Sequence, residues 1–472
     1  MGAGVSSWEL ARAVSGAGHL GVVSGTALDA ILARRLQLGD PGGHLRRAMA
    51  HFPRPDIAER VKRRYFVPGG KQPRKPFRSV PVHSLRPPQR LVELTVLANF
   101  VEVYLAKEDH QGKVGINYLE KIQLPNLASL YGAMLAGVDY VLVGAGIPRE
   151  IPGVLDRLVD HEPVTLQLAV TGADSGEKHH IRFDPASILP SPEHPLRRPF
   201  FLAIVASTTL ALALSKRATG KVDGFVIEGP LAGGHNAPPR GPSRFDERGQ
   251  PIYSEKDVVD LQRIRRLGVP FWLAGSYGRP GRLAEALRNG AQGVQVGTLF
   301  AFCKESGIAP RLKEEVLEGI HSGCPADVFT DPTASPTGFP FKVLRLKNTI
   351  ADEHTYEQRE RGCDLGYLRT AFQQADGTVG YRCPAEPPEH YVRKGGHLAD
   401  TVGRRCLCNG LVATIGMGQI RKDGYEEPPI VTSGDDLLLI GTLLADGATS
   451  YSAGDVIRLL CSDLAAPVAG GI

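Results

Sequence analysis

Cysteine is scarce and odd in number in this 472-residue chain, seven in all, and its opening, MGAGVSSWELARAVSGAG, has no basic stretch followed by an apolar run. A disulfide framework needs paired cysteines and an oxidising compartment, so the sequence speaks against both such a framework and a secretory signal. No stretch approaches the ~18–20 consecutive apolar residues that cross a bilayer, and a membrane partner is not expected. Charge of one sign is missing too. Against 55 Lys and Arg stand 50 Asp and Glu, a net charge of +5 that is too small at this length to point to nucleic acid. With 42% hydrophobic and 22% charged residues the composition is that of an ordinary soluble globular protein, and the cytoplasm is the expected compartment.

What the chain does have is alternation of short apolar runs with helical patterns. Strands are expected at residues 19–24, 113–118, 140–144, 200–207, 224–228, 271–275 and 293–297, with helices at 8–17, 27–38, 91–106, 124–135, 151–158, 210–217, 258–267 and 282–289. Seven helix-separated strands favour a closed (β/α)8 TIM barrel over a doubly wound sheet. The eighth strand is expected ahead of Met1, with MGAGVS as its C-terminal edge, and Ser6 or Ser7 is placed to cap the first helix. Residues 40–111 and 163–195 interrupt the pattern as insertions, the first mainly helical and the second a hairpin. Within the first, the run RVKRRYFVPGGKQPRKPFRSVPVHSLRPPQR at 60–90 is basic enough to grip phosphate, yet its prolines fit a solvated cap better than a regular groove-binding element. The alternation ends near residue 343. Residues 344–472 read as a C-terminal extension packed on the barrel, holding five of the seven cysteines.

The chemistry concentrates at strand ends. The strand GFVIEG that opens GFVIEGPLAGGH at 224–235, FWLAG at 271–275 and GVQVG at 293–297 each end in glycine, where main-chain N–H groups meet an anion without a Cβ in the way. Gly275, Ser276 and Gly278, with Gly297 and Thr298, follow the last two strands, the place where barrels bind phosphate. Ordinary tight turns would also use these glycines. Gly233 and Gly234 precede His235 and aim its imidazole into the barrel mouth, where the side chain with a pKa nearest neutrality suits proton transfer. Glu228 ends the same strand and is placed to orient a ring or bond a sugar hydroxyl. Asn117, in GINY, offers a mixed donor–acceptor amide to a flat heterocycle. Cys363, Cys383, Cys406 and Cys408, near His390 and His397, are numerous enough for a zinc site, but CxxC is absent, and reduced buried thiols are the expectation, with no metal.

Asn117 in GINY, the AGGH element, LAGS, VGT and SPTGFPFKV at 335–343 occur in an order that resembles the nitronate monooxygenases, formerly called 2-nitropropane dioxygenases. The resemblance covers roughly residues 1–343, and EKIQLPNLASLYGAMLAGVDYVLVGAG at 120–146 is closest to the branch that includes enoyl reductases of polyunsaturated fatty acid synthases. The family's opening strand, with its Gln-Gly-Gly element, has no counterpart here. The resemblance implies an FMN-dependent TIM barrel. Gly275, Ser276, Gly278, Gly297 and Thr298 would hold the FMN phosphate, Asn117, Glu228, Gly233 and Gly234 would line the flavin, and His235 would be the catalytic acid/base. It implies oxidation of alkyl nitronates by O2 to a carbonyl compound and nitrite. AGGH is shared with FMN-dependent enoyl reductases, so NAD(P)H-driven reduction of an enoyl thioester is the alternative, and a non-catalytic flavin scaffold a third class. Expected partners are a small-molecule substrate and O2, with a homodimer admitted.

Overall fold

The computed structural model describes residues 2–174 and 176–464. Seven parallel strands form one sheet in strict chain order: β1 (Gly21–Ser24), β2 (Val114–Leu119), β3 (Tyr140–Gly144), β4 (Phe200–Val205), β5 (Gly224–Glu228), β6 (Phe271–Ala274) and β7 (Gly293–Gln295). Every strand falls where an apolar run predicts it. The interiors of β2, β3 and β5 are buried on both faces, as a parallel sheet clothed in helices requires, while the edge strand β7 is only half-buried. The register brings the strands' C-terminal ends level, with Ser24 beside Asn117 and Ala274 beside Glu228. Side chains and loops from distant stretches therefore gather along one rim.

The arrangement is TIM-barrel-like, with β1 and β7 at its two edges. The eighth strand expected ahead of Met1 lies outside the described residues. Of the segment MGAGVS, the described residues 2–6 form a turn rather than a strand edge. It leans on β1, with Ser24 N–H donating to Ser6 O at 2.8 Å and Ser6 Oγ donating to Val22 O at 2.6 Å. Ser7 occupies the cap position of helix Trp8–Gly16 without using its side chain. The free amide of Trp8 donates instead to the buried Glu102 carboxylate, 2.9 Å away.

The first insertion contributes the longest helix, Gln89–Lys107, which packs under β1 and β2 and against helix Asn126–Leu135. Its basic, proline-rich part is largely exposed but sends anchors inward. His83 bonds Asp29 at 2.7 Å, and the Phe77 amide donates to Gln419 Oε1 at 2.8 Å. The run thus straps the barrel to the C-terminal extension. The second insertion is the expected hairpin, Val164–Leu168 paired antiparallel with His179–Phe183. The extension is not a separate body: Ile350, Leu365, Tyr367, Leu407, Val412 and Ile430 belong to the same apolar core as Val23, Ile116 and Phe225. A buried pair, Arg359 Nε and Glu427 Oε1 at 2.6 Å, holds it internally. Among the described residues no helix is long and apolar enough to cross a membrane.

Asp139 secures the opposite, N-terminal rim of the sheet. Its buried carboxylate accepts from Lys107 Nζ at 2.6 Å, from the Val114 amide at 3.0 Å and from the Arg197 guanidinium. Helix Gln89–Lys107, β2 and the approach to β4 are thereby tied at one point. These donors hold the carboxyl down at about 2 against the penalty of burial, below an unfolded value near 3.9. Stability from this group is thus fully present above about pH 4 and lost as the pH falls toward 2. Asp139→Asn is expected to destabilise the chain by about 3 kcal/mol at pH 7 and to flatten the acid limb of its stability curve. Urea unfolding followed from pH 7 to pH 2 checks both, and an acid limb unchanged by the substitution would refute the assignment.

Candidate active site

β5 ends at Glu228, and the loop after it turns back so that Gly234–His235 pairs antiparallel with Phe341–Arg345, His235 facing Phe341 across the ladder. Two glycines make that turn. Gly234 lies at φ 82°, a conformation that side chains with a Cβ disfavour. A Cβ on Gly233 would come within 2.7 Å of the Ser433 backbone. The imidazole is thereby fixed edge-on to the Phe341 ring, centroids 4.8 Å apart. Its Nε2 bonds Ser335 Oγ at 2.7 Å, leaving Nδ1 for a ligand. Burial, reinforced by the Lys121 ammonium, pushes the imidazole down to about 3. It is a neutral ring at any physiological pH.

His235 lines a small cavity of about 90 Å³ with Asn117, Glu228, Gly233, Gly234, Tyr367 and Cys408. Asn117 is buried on β2 as expected. Burial raises Glu228 to about 7, so near neutrality it both donates and accepts. Glu228, Gly233, Gln295 and Thr432 also wall a larger cavity of about 510 Å³. Gly275, Ser276, Gly297 and Thr298 line that second space. It also runs between β1 and β7, past Val22 and Val294, where the expected eighth strand would stand. Only the end beneath the β6 and β7 loops is therefore ascribed to a ligand.

The phosphate end carries a direct sign of a missing partner. Ser276 Oγ is buried with no hydrogen-bond partner, a costly state unless a ligand completes it, and Ser276 itself sits at φ 58°. These features fit a cofactor phosphate. Two neighbours are already engaged. Thr298 Oγ1 accepts from the Gly434 amide at 2.9 Å, and the Gly278 amide donates to Asp436 Oδ2 at 2.9 Å. Gly278 thus meets a carboxylate, whose other oxygen has no hydrogen bond and lies 3.7 Å from Arg279 Nε.

The structure brings Asn117, Glu228, Gly233, Gly234 and His235 together at one end and Gly275, Ser276, Gly297 and Thr298 at the other, whereas Gly278 lines neither cavity and gives its amide to Asp436. Sequence reasoning missed Ser335, Tyr367, Cys408, Thr432 and Asp436. Four of these come from the extension, read as mere packing. SPTGF and the acid pair in SGDDL were the available signals. All cysteines are free, and among the described residues no group of three or more His, Cys, Asp or Glu is placed to hold an ion. Burial raises the thiols of Cys363, Cys383, Cys406 and Cys408, opposing the thiolates that a metal needs.

No curated protein matches the chain in sequence. Among solved structures, similarity extends to FabK from Thermotoga maritima at 16% identity and TM-score 0.46, covering 97% of this chain and 89% of that one. Nitroalkane oxidase from Streptomyces ansochromogenes is similar at 15% and 0.44, covering 98% and 94%. The enoyl reductase domain of MlnA from Bacillus amyloliquefaciens is similar at 12% and 0.43, likewise covering 98% and 94%. The family model described as nitronate monooxygenase matches residues 190–334, the stretch that contains β4 to β7, AGGH, LAGS and VGT. Over that segment, which supplies His235 and the β6 and β7 loops, the chain is similar to the nitronate monooxygenases.

Proposed function

We propose that the chain is an FMN-dependent oxidoreductase that oxidises alkyl nitronates, and the nitroalkanes from which they form, with O2 to a carbonyl compound and nitrite. The observation that carries this reading is the pair of connected cavities. One ends at an unsatisfied buried hydroxyl, Ser276 Oγ, and the other at a neutral imidazole, with Glu228 at the junction. Ser276, Gly275, Gly297 and Thr298 would hold the phosphate, and Glu228, Gly233 and Asn117 the ring. FMN, when bound, supplies the electron-accepting centre.

The protein's own part is proton handling and exclusion of water. A neutral imidazole presents a free Nδ1 lone pair to an activated C–H, and its ring is held by backbone pairing and by Ser335 rather than by a carboxylate. A positioned base of this kind contributes about 10²–10⁴-fold. Ile122, Phe341, Leu368 and Leu411 give the small cavity apolar walls that suit an alkyl group. Reduction of an enoyl thioester by NAD(P)H uses the same groups and is the second reading.

Anaerobic mixing of the flavin-loaded protein separates the two. Propionate 3-nitronate is expected to bleach the flavin and NADPH to leave it oxidised; bleaching by NADPH with none by the nitronate would reverse the assignment. His235→Asn is expected to keep flavin but lose at least about 10²-fold in turnover of a nitroalkane, and turnover at the original rate would remove His235 from the reaction. At the phosphate end, Ser276→Ala should weaken FMN binding about tenfold or more through a lost bond to a charged group. Asp436→Asn should tighten it about tenfold by removing like charge. Flavin fluorescence titration reads both, and an Asp436→Asn protein that binds FMN more weakly would place the phosphate elsewhere.

A further inference from the structure

The hydrogen bond on His235 Nε2 does not stop at Ser335. Ser335 Oγ, fully buried, shares a hydrogen bond with Thr337 Oγ1 at 2.8 Å, and Lys121 Nζ donates to Thr337 Oγ1 at 3.3 Å. Four groups thus form one chain: imidazole, hydroxyl, hydroxyl, amine. Lys121 lies in the loop after β2, outside the cavity and half-buried, its Nζ 2.8 Å from the centre of the Phe339 ring. The Ser335–Phe339 loop carries the hydroxyls and is pinned from behind by Arg404, whose guanidinium donates to Thr333 O at 2.8 Å and Ser335 O at 2.7 Å.

We propose that Lys121 is the terminal proton acceptor and donor of this site, exchanging protons with substrate through Thr337, Ser335 and His235. The inference rests on the reading of His235 as acid/base. In nitroalkane oxidation, the substrate's α-carbon gives its proton to His235 Nδ1 and keeps the electron pair as nitronate. The proton on Nε2 passes to Ser335 Oγ, that hydroxyl's proton to Thr337 Oγ1, and the threonine's proton to the Lys121 amine. Each intermediate group gains one proton and loses one; the net products are nitronate and a lysine ammonium.

The physical need for such a chain lies in the imidazole's surroundings. Burial keeps His235 neutral, so a proton taken at one nitrogen must leave at the other rather than rest as imidazolium. Burial lowers Lys121 to about 7, which leaves much of it as free amine at neutral pH, ready to accept. The charges around the relay are few. Glu120 adjoins Lys121 and is itself raised by burial, with Glu150 beyond it; Glu228 stands across the small cavity, and Arg404 lies behind the loop.

Two kinds of measurement test the relay on the full chain. In nitrogen-15 NMR of the flavin-free protein, one lysine amine is expected to titrate near pH 7 and to vanish from the spectra in Lys121→Met. In the same variant the His235 protonation midpoint should rise by about one pH unit or more as a neighbouring cation is removed. If all lysines titrate above pH 10, or if the His235 midpoint stays put in Lys121→Met, the relay is wrong. In the flavin-loaded protein, Lys121→Met and Thr337→Val should each lower the ratio of nitroalkane to preformed-nitronate turnover about 10²-fold, since only the nitroalkane must lose a proton. Lys121→Arg should not restore it, because a guanidinium does not give up its proton. Equal losses on both substrates, or rescue by arginine, would overturn the proposal. Absence of turnover of either substrate by the unaltered protein would instead count against the functional reading, and the NMR titrations would still decide the relay.

Discussion

A two-residue ladder, Gly234–His235 against Phe341–Lys342, is the constraint on which the site depends. It converts a loop that follows β5 into the third strand of a small antiparallel sheet with Asp327–Asp331 and Phe341–Arg345. The connection between those two strands is then forced to lie against the imidazole, and it carries Ser335. Gly233, on the other side, is pressed against Ser433. Backbone hydrogen bonds therefore place the imidazole that we propose as acid/base, so the entropy of orienting it is met during folding.

Burial then sets the electrostatic character. Glu228, His235 and Lys121 are all moved toward their neutral forms by the same cause, loss of water. Glu228 and Lys121, which would otherwise be fixed charges at pH 7, become exchangers of protons, while His235 stays neutral. The formal charge that remains near the cofactor end is Asp436, with Arg279 at its edge. A site of this kind favours proton movement over ion pairing.

The sheet and its rim were legible because parallel βα units leave a strong signature. Runs such as YVLVG and FWLAG are too short and apolar to be anything but buried strands between helical patterns, and strands that end level place Asn117, Glu228, Gly275 and Gly297 together. His235 followed from the glycines before it. Lys121, Ser335, Tyr367, Cys408 and Asp436 were not legible as members of the site, since their proximity to it arises only from tertiary packing. The extension conceals its contribution for a related reason: its helices are short, several are 3-10 turns, and their order comes from the barrel surface they cover rather than from a period of their own.

That division of labour has a thermodynamic consequence. The loops after β6 and β7 make one wall of the larger cavity, while Thr432, Ser433, Gly434 and Asp436 make the facing wall; Tyr367, Leu368, Cys408 and Leu411 do the same at the imidazole end. A molecule held between two stretches of chain binds only when both are in place, so its binding free energy adds to the free energy of docking one on the other. On the proposed reading, cofactor occupancy and the packing of the extension on the barrel would be one linked equilibrium, with the ligand held at the seam between them.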